Sequence, residues 1–250
     1  MHDFPVEPTA DILSFYTVYM CHHIKPTSVA SYLSGIQNEL EPVYPNIRSI
    51  CRSALVRKTL LGCKRLLKSE PTRRIPLELP HLEALVQSLG QSPSYDHLLF
   101  LAQITSGFYG LNRLGELVWP DNRKLQSYAN VSMRHSVDLI IDQYSYHLPG
   151  HKSDRSFEGN RIVIQAVNAT HNPVLLFKKY LQARDSLFPG RPELWLKADG
   201  SIPQRRWFID LLHHFLPDGI SGHSLRAGGA LALALAGVPP DRIQDAGRWT

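Results

Sequence analysis

The sequence predicts a mainly α fold with a small antiparallel β-sheet, divided into a helical N-terminal domain and a mixed α/β domain. Three observations predict it. Apolar residues recur at helical spacing through the first 67 positions, interrupted by prolines. Two stretches rich in Val and Ile, 131–148 and 161–167, flank Pro149-Gly150-His151-Lys152-Ser153-Asp154, which has the composition of a turn. Between the two regions lies Ser69-Glu70-Pro71-Thr72-Arg73-Arg74-Ile75-Pro76, where two prolines, polar residues and charge give linker chemistry.

The first helix runs through Asp11–Met20, with Thr9 or Asp11 as its N-cap. A second starts at Pro26-Thr27-Ser28 and ends at Leu40; Val29, Tyr32, Leu33, Ile36 and Leu40 fall on one face, and Pro42 and Pro45 stop it. A third covers Ser53 to Leu67. These elements define a domain at residues 1–72, a linker at 73–80 and a second domain at 81–250. Leu79-Pro80-His81-Leu82 opens a new helical region, and His97 to Tyr109 is an apolar helix. The segments 131–148 and 161–167 read as strands with partial alternation. Asn172 caps a helix running to Ser186, with Pro173 in its first turn. Trp207 to Phe215 is a further helix, and Ser221 caps the last. No internal repeat or low-complexity tract is present.

Composition narrows the function. The chain has 250 residues, 43% of them hydrophobic, which supports a real core and argues against wholesale disorder. A net charge of +5 permits a polyanionic partner. Cys21, Cys51 and Cys63 lack metal-type spacing and imply a reducing, intracellular compartment without a disulfide framework. Cys21-His22-His23 is too compact for a zinc site, so no metal is expected. The run Gly229 to Pro239 is too short and Ala-rich to span a bilayer, and no secretory leader opens the chain. No glycine-rich phosphate loop suggests a nucleotide cofactor. Trp119, Trp195 and Trp207 read as packing residues.

One stretch concentrates positive charge. Arg48, Arg52, Arg57, Lys58, Lys64, Arg65, Lys68, Arg73 and Arg74 are opposed within their own span only by Glu70. Lys64, Arg65 and Lys68 follow Arg57 by seven, eight and eleven positions, which places all four on one helix face. Such a stripe is either a solvated surface or a phosphate-binding face; phosphate neutralisation would give binding that weakens by about 0.9 log units per contact per decade of salt.

Other residues point to chemistry. His223 and Arg226 are three apart at the start of a helix whose N-terminus favours an anion. Gly228 and Gly229 follow inside that helix at a cost of about 1 kcal/mol each relative to Ala, which makes sense if another backbone approaches closely. Arg113 and Glu116, also three apart, emerge from an apolar helix, where the carboxylate can hold the guanidinium. Lys152 sits in the turn of the proposed hairpin.

In chain order these are Arg113-x-x-Glu116-Leu117, a hairpin Lys152, His223-x-Leu225-Arg226 followed by small residues and Ala236-Gly237-Val238-Pro239, then Gly247-Arg248-Trp249. With this set the sequence resembles the tyrosine recombinase (phage integrase-like) family over essentially its whole length, in wording closer to eukaryotic mobile-element integrases. The resemblance implies a helical core-binding (SAM-like) domain and an integrase-like catalytic domain that together clamp duplex DNA as a C-shape. It implies that Arg113 and Arg226 grip the non-bridging oxygens of the scissile phosphate. Lys152 would protonate the leaving 5′ oxygen, His223 would assist proton transfer, and Trp249 would buttress the phosphate. Preorganised guanidinium groups suit that chemistry, because charge builds on phosphate oxygens during displacement; losing one such donor commonly costs about 2.7–4 kcal/mol in the barrier.

The implied activity is site-specific DNA breakage and rejoining through a phosphotyrosine link. It needs no cofactor and takes double-stranded DNA as partner, without a membrane, on which the protein forms a dimer or tetramer in the nucleus. The family's nucleophile lies beyond Gly-Arg-Trp, whereas Tyr109, Tyr128, Tyr144, Tyr146 and Tyr180 precede it and the sequence stops at Thr250. The expectation is truncation before the nucleophilic tyrosine; the alternative is a non-catalytic DNA-binding relic.

Overall fold

A computed structural model describes residues 7–67, 75–89, 93–150 and 159–249. Lys68, Arg73, Arg74 and Lys152, and the turn proposed around Lys152, lie outside the described residues. The chain divides into two compact units, Met1–Thr72 and Arg73–Thr250. Its fold is mainly helical with one small antiparallel sheet.

The first unit contains α1 (Ala10–His23), α2 (Pro26–Leu40), α3 (Ile47–Cys51) and α4 (Ala54–Leu66). Of the two candidate caps for α1, Thr9 serves: its Oγ1 accepts the Ile12 N–H at 3.3 Å. Ser53 caps α4 in the same way, accepting from Val56 N–H at 3.4 Å. Leu13, Leu33, Ile47, Cys51 and Val56 form the core, with a smaller cluster of Cys21, Val29 and Cys63 beside it. All three cysteines are free and buried. Helix α3 escapes sequence periodicity because it is one turn long; only Ile47 and Cys51, four apart, face inward.

The second unit contains α5 (Leu79–Leu89), α6 (Tyr95–Tyr109), β1 (Asp138–Leu139), β2 (Gln143–Leu148), β3 (Asn160–Gln165), α7 (Pro173–Leu187), α8 (Arg205–Phe215), α9 (Gly222–Leu235) and α10 (Pro240–Gly247). Helix α6 is buried all round from Leu99 to Phe108, so it is the central post of the unit. The sheet has order β1-β2-β3, and Tyr144 pairs with Ile164 and Tyr146 with Ile162 on its buried side. Phe177 of α7 stacks on Tyr144 with ring centroids 3.9 Å apart, and Trp195 packs edge-on against both Phe177 and Tyr146.

Two expectations are corrected. The stretch 131–148 is not one strand. Arg134 N–H donates to Pro192 O, and the Arg134 guanidinium grips Asp185 of α7, so residues 134–136 form a 3₁₀ turn before the chain enters the sheet. Nor do residues 75–80 behave as a linker. Leu77 is fully buried with its N–H donating to Ser224 O, Ile75 N–H donates to Gly219 O, and α5 already begins at Leu79. Helix α10, eight residues long, is an addition to the expected elements. Among the described residues, no helix is long and apolar enough to cross a membrane.

Candidate functional site

The site is assembled where α6 ends. Gly110 closes the helix, and Leu111 turns the chain with a φ of 48°. Asn112 anchors the turn: its side-chain amide donates to Tyr146 Oη at 2.6 Å and to Ser106 O at 3.1 Å. Arg113 follows in extended conformation and is bound twice by Glu116. The Arg113 N–H donates to Glu116 Oε2 at 2.9 Å, and Arg113 Nη1 donates to Oε1 at 3.0 Å. The Glu116 side chain is 6% exposed and that of Arg113 is 30% exposed, so the carboxylate is interior and the guanidinium reaches the surface.

Helix α9 supplies the second half. Ser221 occupies its N-cap position, but its hydroxyl has no hydrogen-bond partner among the described residues. The start of the helix is instead closed by Ser224, whose Oγ accepts the Ser221 N–H at 2.8 Å. The two glycines do permit close approach. A Cβ on Gly228 would lie 1.8 Å from Leu77 O, and one on Gly229 would lie 2.0 Å from Phe108 O. Backbone contact at this range seats α9 against the end of α6 and carries Arg226 inward.

Arg226 is 8% exposed, and none of its three guanidinium nitrogens has a hydrogen-bond partner among the described residues. Its guanidinium carbon lies 4.8 Å from the centroid of the Trp249 ring. Burial pulls its pKa down to about 10; the neighbouring charges of Arg113 and Arg248 add to the depression and Glu116 opposes it. The structure thus brings Arg113, Arg226 and Trp249 together. His223 is one turn ahead of Arg226 on α9 and exposed. Lys152 falls outside the described residues.

Sequence reasoning missed Arg248 as a member of the site. It follows α10 with a φ of 54° and donates from Nη2 to Glu116 Oε2 at 3.0 Å, Asn112 Oδ1 at 3.1 Å and Leu111 O at 3.2 Å. The only signal was its place inside Gly247-Arg248-Trp249, since an arginine between two singled-out residues reads as solvated until the fold is known.

The electrostatics are unbalanced. Three guanidinium groups share one carboxylate, and both oxygens of Glu116 are already engaged by Arg113 and Arg248. Arg226 therefore holds an uncompensated charge in a buried place, an arrangement that costs stability unless an anion arrives.

The described part of the basic stripe, from Arg48 to Arg65, belongs to the first unit. Arg52, Arg57, Lys58, Lys64 and Arg65 are exposed. Arg57, Lys58 and Lys64 line a shallow depression of about 460 Å³ on α4, floored by Ala54, Leu60 and Leu61. Arg48 differs: Glu41, at the end of α2, takes its guanidinium at 2.6 and 2.7 Å. Its charge is met by a partner outside the span in which only Glu70 was counted.

The helical second unit, with its three-stranded sheet, has the tyrosine recombinase catalytic fold. Among solved structures, the chain is similar to a lambda integrase dimer bound to a COC′ core site (TM-score 0.55, 14% identity, 98% of this chain and 63% of that one). It is similar to the Tn1549 transposon integrase in complex with circular intermediate DNA (TM-score 0.53, 13% identity, 99% and 80%). It is also similar to the XerH site-specific recombinase bound to difH substrate (TM-score 0.50, 15% identity, 91% and 64%). The chain spans slightly less than two thirds of the XerH chains it matches, 64% and 66%. No protein-family model matches the sequence, and no curated protein matches it at a significant level.

Proposed function

We propose that the chain is the body of a site-specific DNA recombinase or integrase, of the mobile-element type, that breaks and rejoins duplex DNA through a phosphotyrosine intermediate. One observation carries this reading: the buried, unpartnered guanidinium of Arg226 stands within electrostatic range of Arg113, with Trp249 against its face. A phosphodiester supplies the missing anion. Arg226 and Arg113 each offer planar, forked donors to its non-bridging oxygens, and they stabilise the charge that grows there as the bridging bond breaks. His223 assists proton transfer, Lys152 protonates the leaving 5′ oxygen, and Trp249 holds Arg226 from one side.

Tyr144, Tyr146 and Tyr180 are not assigned as the nucleophile. Their hydroxyls bond Ser106, Asn112 and Leu194 inside the core, and burial raises their ionisation well above that of an ordinary phenol. The exposed cations of α4 grip flanking phosphates. The similarity to an integrase dimer on its core site supports action as a dimer or higher assembly on DNA. Three free buried cysteines suit a reducing compartment such as the nucleus.

The test is binding to duplex DNA across a salt series, with Arg226→Ala and Arg113→Ala beside the parent chain. Each substitution is expected to lower affinity at least about tenfold, the cost of losing a charge-assisted hydrogen bond, while the circular dichroism spectrum stays the same. Unchanged affinity in both variants defeats the proposal. Covalent trapping of a nicked duplex then separates an active recombinase from a DNA-binding relic.

A further inference from the structure

We infer that Arg248 is a positioning residue of this pocket: it saturates Glu116, and in doing so keeps Arg226 free for an anion while holding Arg113 and Trp249 in place. The inference rests on the phosphate-binding reading above.

Among the described residues, Leu111 and Arg248 are the only non-glycine residues with positive φ, at 48° and 54°. They meet: Arg248 Nη2 donates to Leu111 O at 3.2 Å across 137 positions of sequence. Two left-handed residues bonded to each other is an arrangement that the surrounding structure must over-determine, and such strain concentrates at working sites. Every acceptor of the Arg248 side chain comes from residues 110–116, which deliver Arg113: Gly110 O at 3.4 Å, Leu111 O, Asn112 Oδ1 and Glu116 Oε2. Its side chain is 8% exposed and turned to protein acceptors, so it serves the pocket through its neighbours.

Three consequences follow from that one residue. Glu116 Oε2 is shared between Arg113 N–H and Arg248 Nη2, while Oε1 holds Arg113 Nη1, which fixes the carboxylate from two sides. A carboxylate released from Arg248 would be drawn to an unpaired cation within electrostatic reach. That cation is Arg226, whose charge Glu116 already supports. An Arg226–Glu116 pair would fill the place an anion should take. Finally, the left-handed turn at Arg248 lets Trp249 N–H bond Gln244 O at 3.1 Å, and the indole ring comes to rest 4.8 Å from the Arg226 guanidinium carbon.

The experiment uses the full chain with Arg248→Met, Arg248→Lys, Arg113→Ala and the double variant Arg113→Ala/Arg248→Met. A short mixed-sequence duplex is the probe. Arg248→Met is expected to weaken binding about tenfold, the loss of a charge-assisted contact, and to flatten the salt slope by about one phosphate. Arg248→Lys restores charge but cannot span four acceptors, and it is expected to restore less than half of the loss on a logarithmic scale. The double variant should lose less than the sum of the two single losses, because part of the Arg248→Met effect acts through Arg113. Additive losses, or full recovery with Lys, overturn the inference. A second arm needs no DNA: in ¹⁵N spectra of the free protein, Arg248→Lys should shift the Arg113 guanidinium and Trp249 indole signals and leave Arg184 in place. If Arg113 and Trp249 do not move, the inference fails whatever the binding shows. If Arg113→Ala and Arg226→Ala both bind DNA like the parent, the phosphate reading fails, and the spectra alone judge the positioning.

Discussion

Arg226 illustrates how a residue can be held against its own stability. Its guanidinium is buried, receives no acceptor among the described residues, and sits beside two further arginines. A cation whose folded pKa is depressed costs stability at every pH below that pKa. The cost is therefore fully present at neutral pH and is relieved only as pH rises through about 10 toward the ordinary arginine range. Replacing it with an apolar side chain of similar length should remove the cost. Arg226→Met is expected to raise the melting temperature of the free protein, by an amount equivalent to about 1–4 kcal/mol, while lowering DNA affinity. Calorimetry and anisotropy on the same sample check the pair of outcomes. A stability loss would show that Arg226 has an intramolecular partner. The spacing His223-x-x-Arg226 was legible in the sequence because three residues on a helix share a face. The absence of an acceptor for Arg226 was not, since that depends on Glu116 being claimed by Arg248 from 132 positions away.

At the scale of elements, the seating of α9 decides whether the pocket exists. Gly228 and Gly229 lie over the carbonyls of Leu77 and Phe108 at distances that no side chain tolerates. Gly228→Ala and Gly229→Ala should each destabilise the second unit by about 1–3 kcal/mol or more, the ordinary cost of overpacking, since backbone cannot move aside as a side chain can. Denaturant titration followed by the signal of the buried Trp195 checks this. Helix α4 offers a separate prediction. Arg57 and Lys64 are exposed and line one depression, so Arg57→Glu with Lys64→Glu should flatten the salt dependence of DNA binding by about 1.8 in log–log slope. The parallel change Arg48→Glu should do less, because Glu41 already meets that charge. An unchanged slope in the double variant removes α4 from the interface. The helices were readable from apolar spacing and caps: Asn172 Oδ1 accepts from Val174 N–H and Leu175 N–H ahead of Pro173, as the dipeptide implies. The short elements α3 and α10 were not: α3 is five residues long, and α10 is eight residues of mostly polar chain that bury only Ile243 and Gly247.

For the molecule as a whole, the two units carry separate cores. Leu13, Leu33, Ile47 and Val56 belong to one; Phe100, Tyr144, Phe177 and Phe208 belong to the other. Leu33→Ala should lower the unfolding free energy of the first unit alone, and Phe177→Ala that of the second alone, each by about 2–5 kcal/mol. Hydrogen exchange resolved along the chain is the measurement. Matching loss of protection in both units from either change would show one cooperative block.

The sequence by itself determined the fold class, the places of the long helices, the basic run on α4 and the order Arg113, His223, Arg226, Trp249. Each of these is written in local spacing, charge or motif. Tertiary structure decided the rest. It gave Arg48 to Glu41, drew Leu77 from an apparent linker into the core against Gly228, and passed Arg248 to Glu116. The physical reason is the same in all three cases. A charge or a backbone group takes the nearest unsatisfied partner in space, and the chain brings that partner near only once its cores have formed.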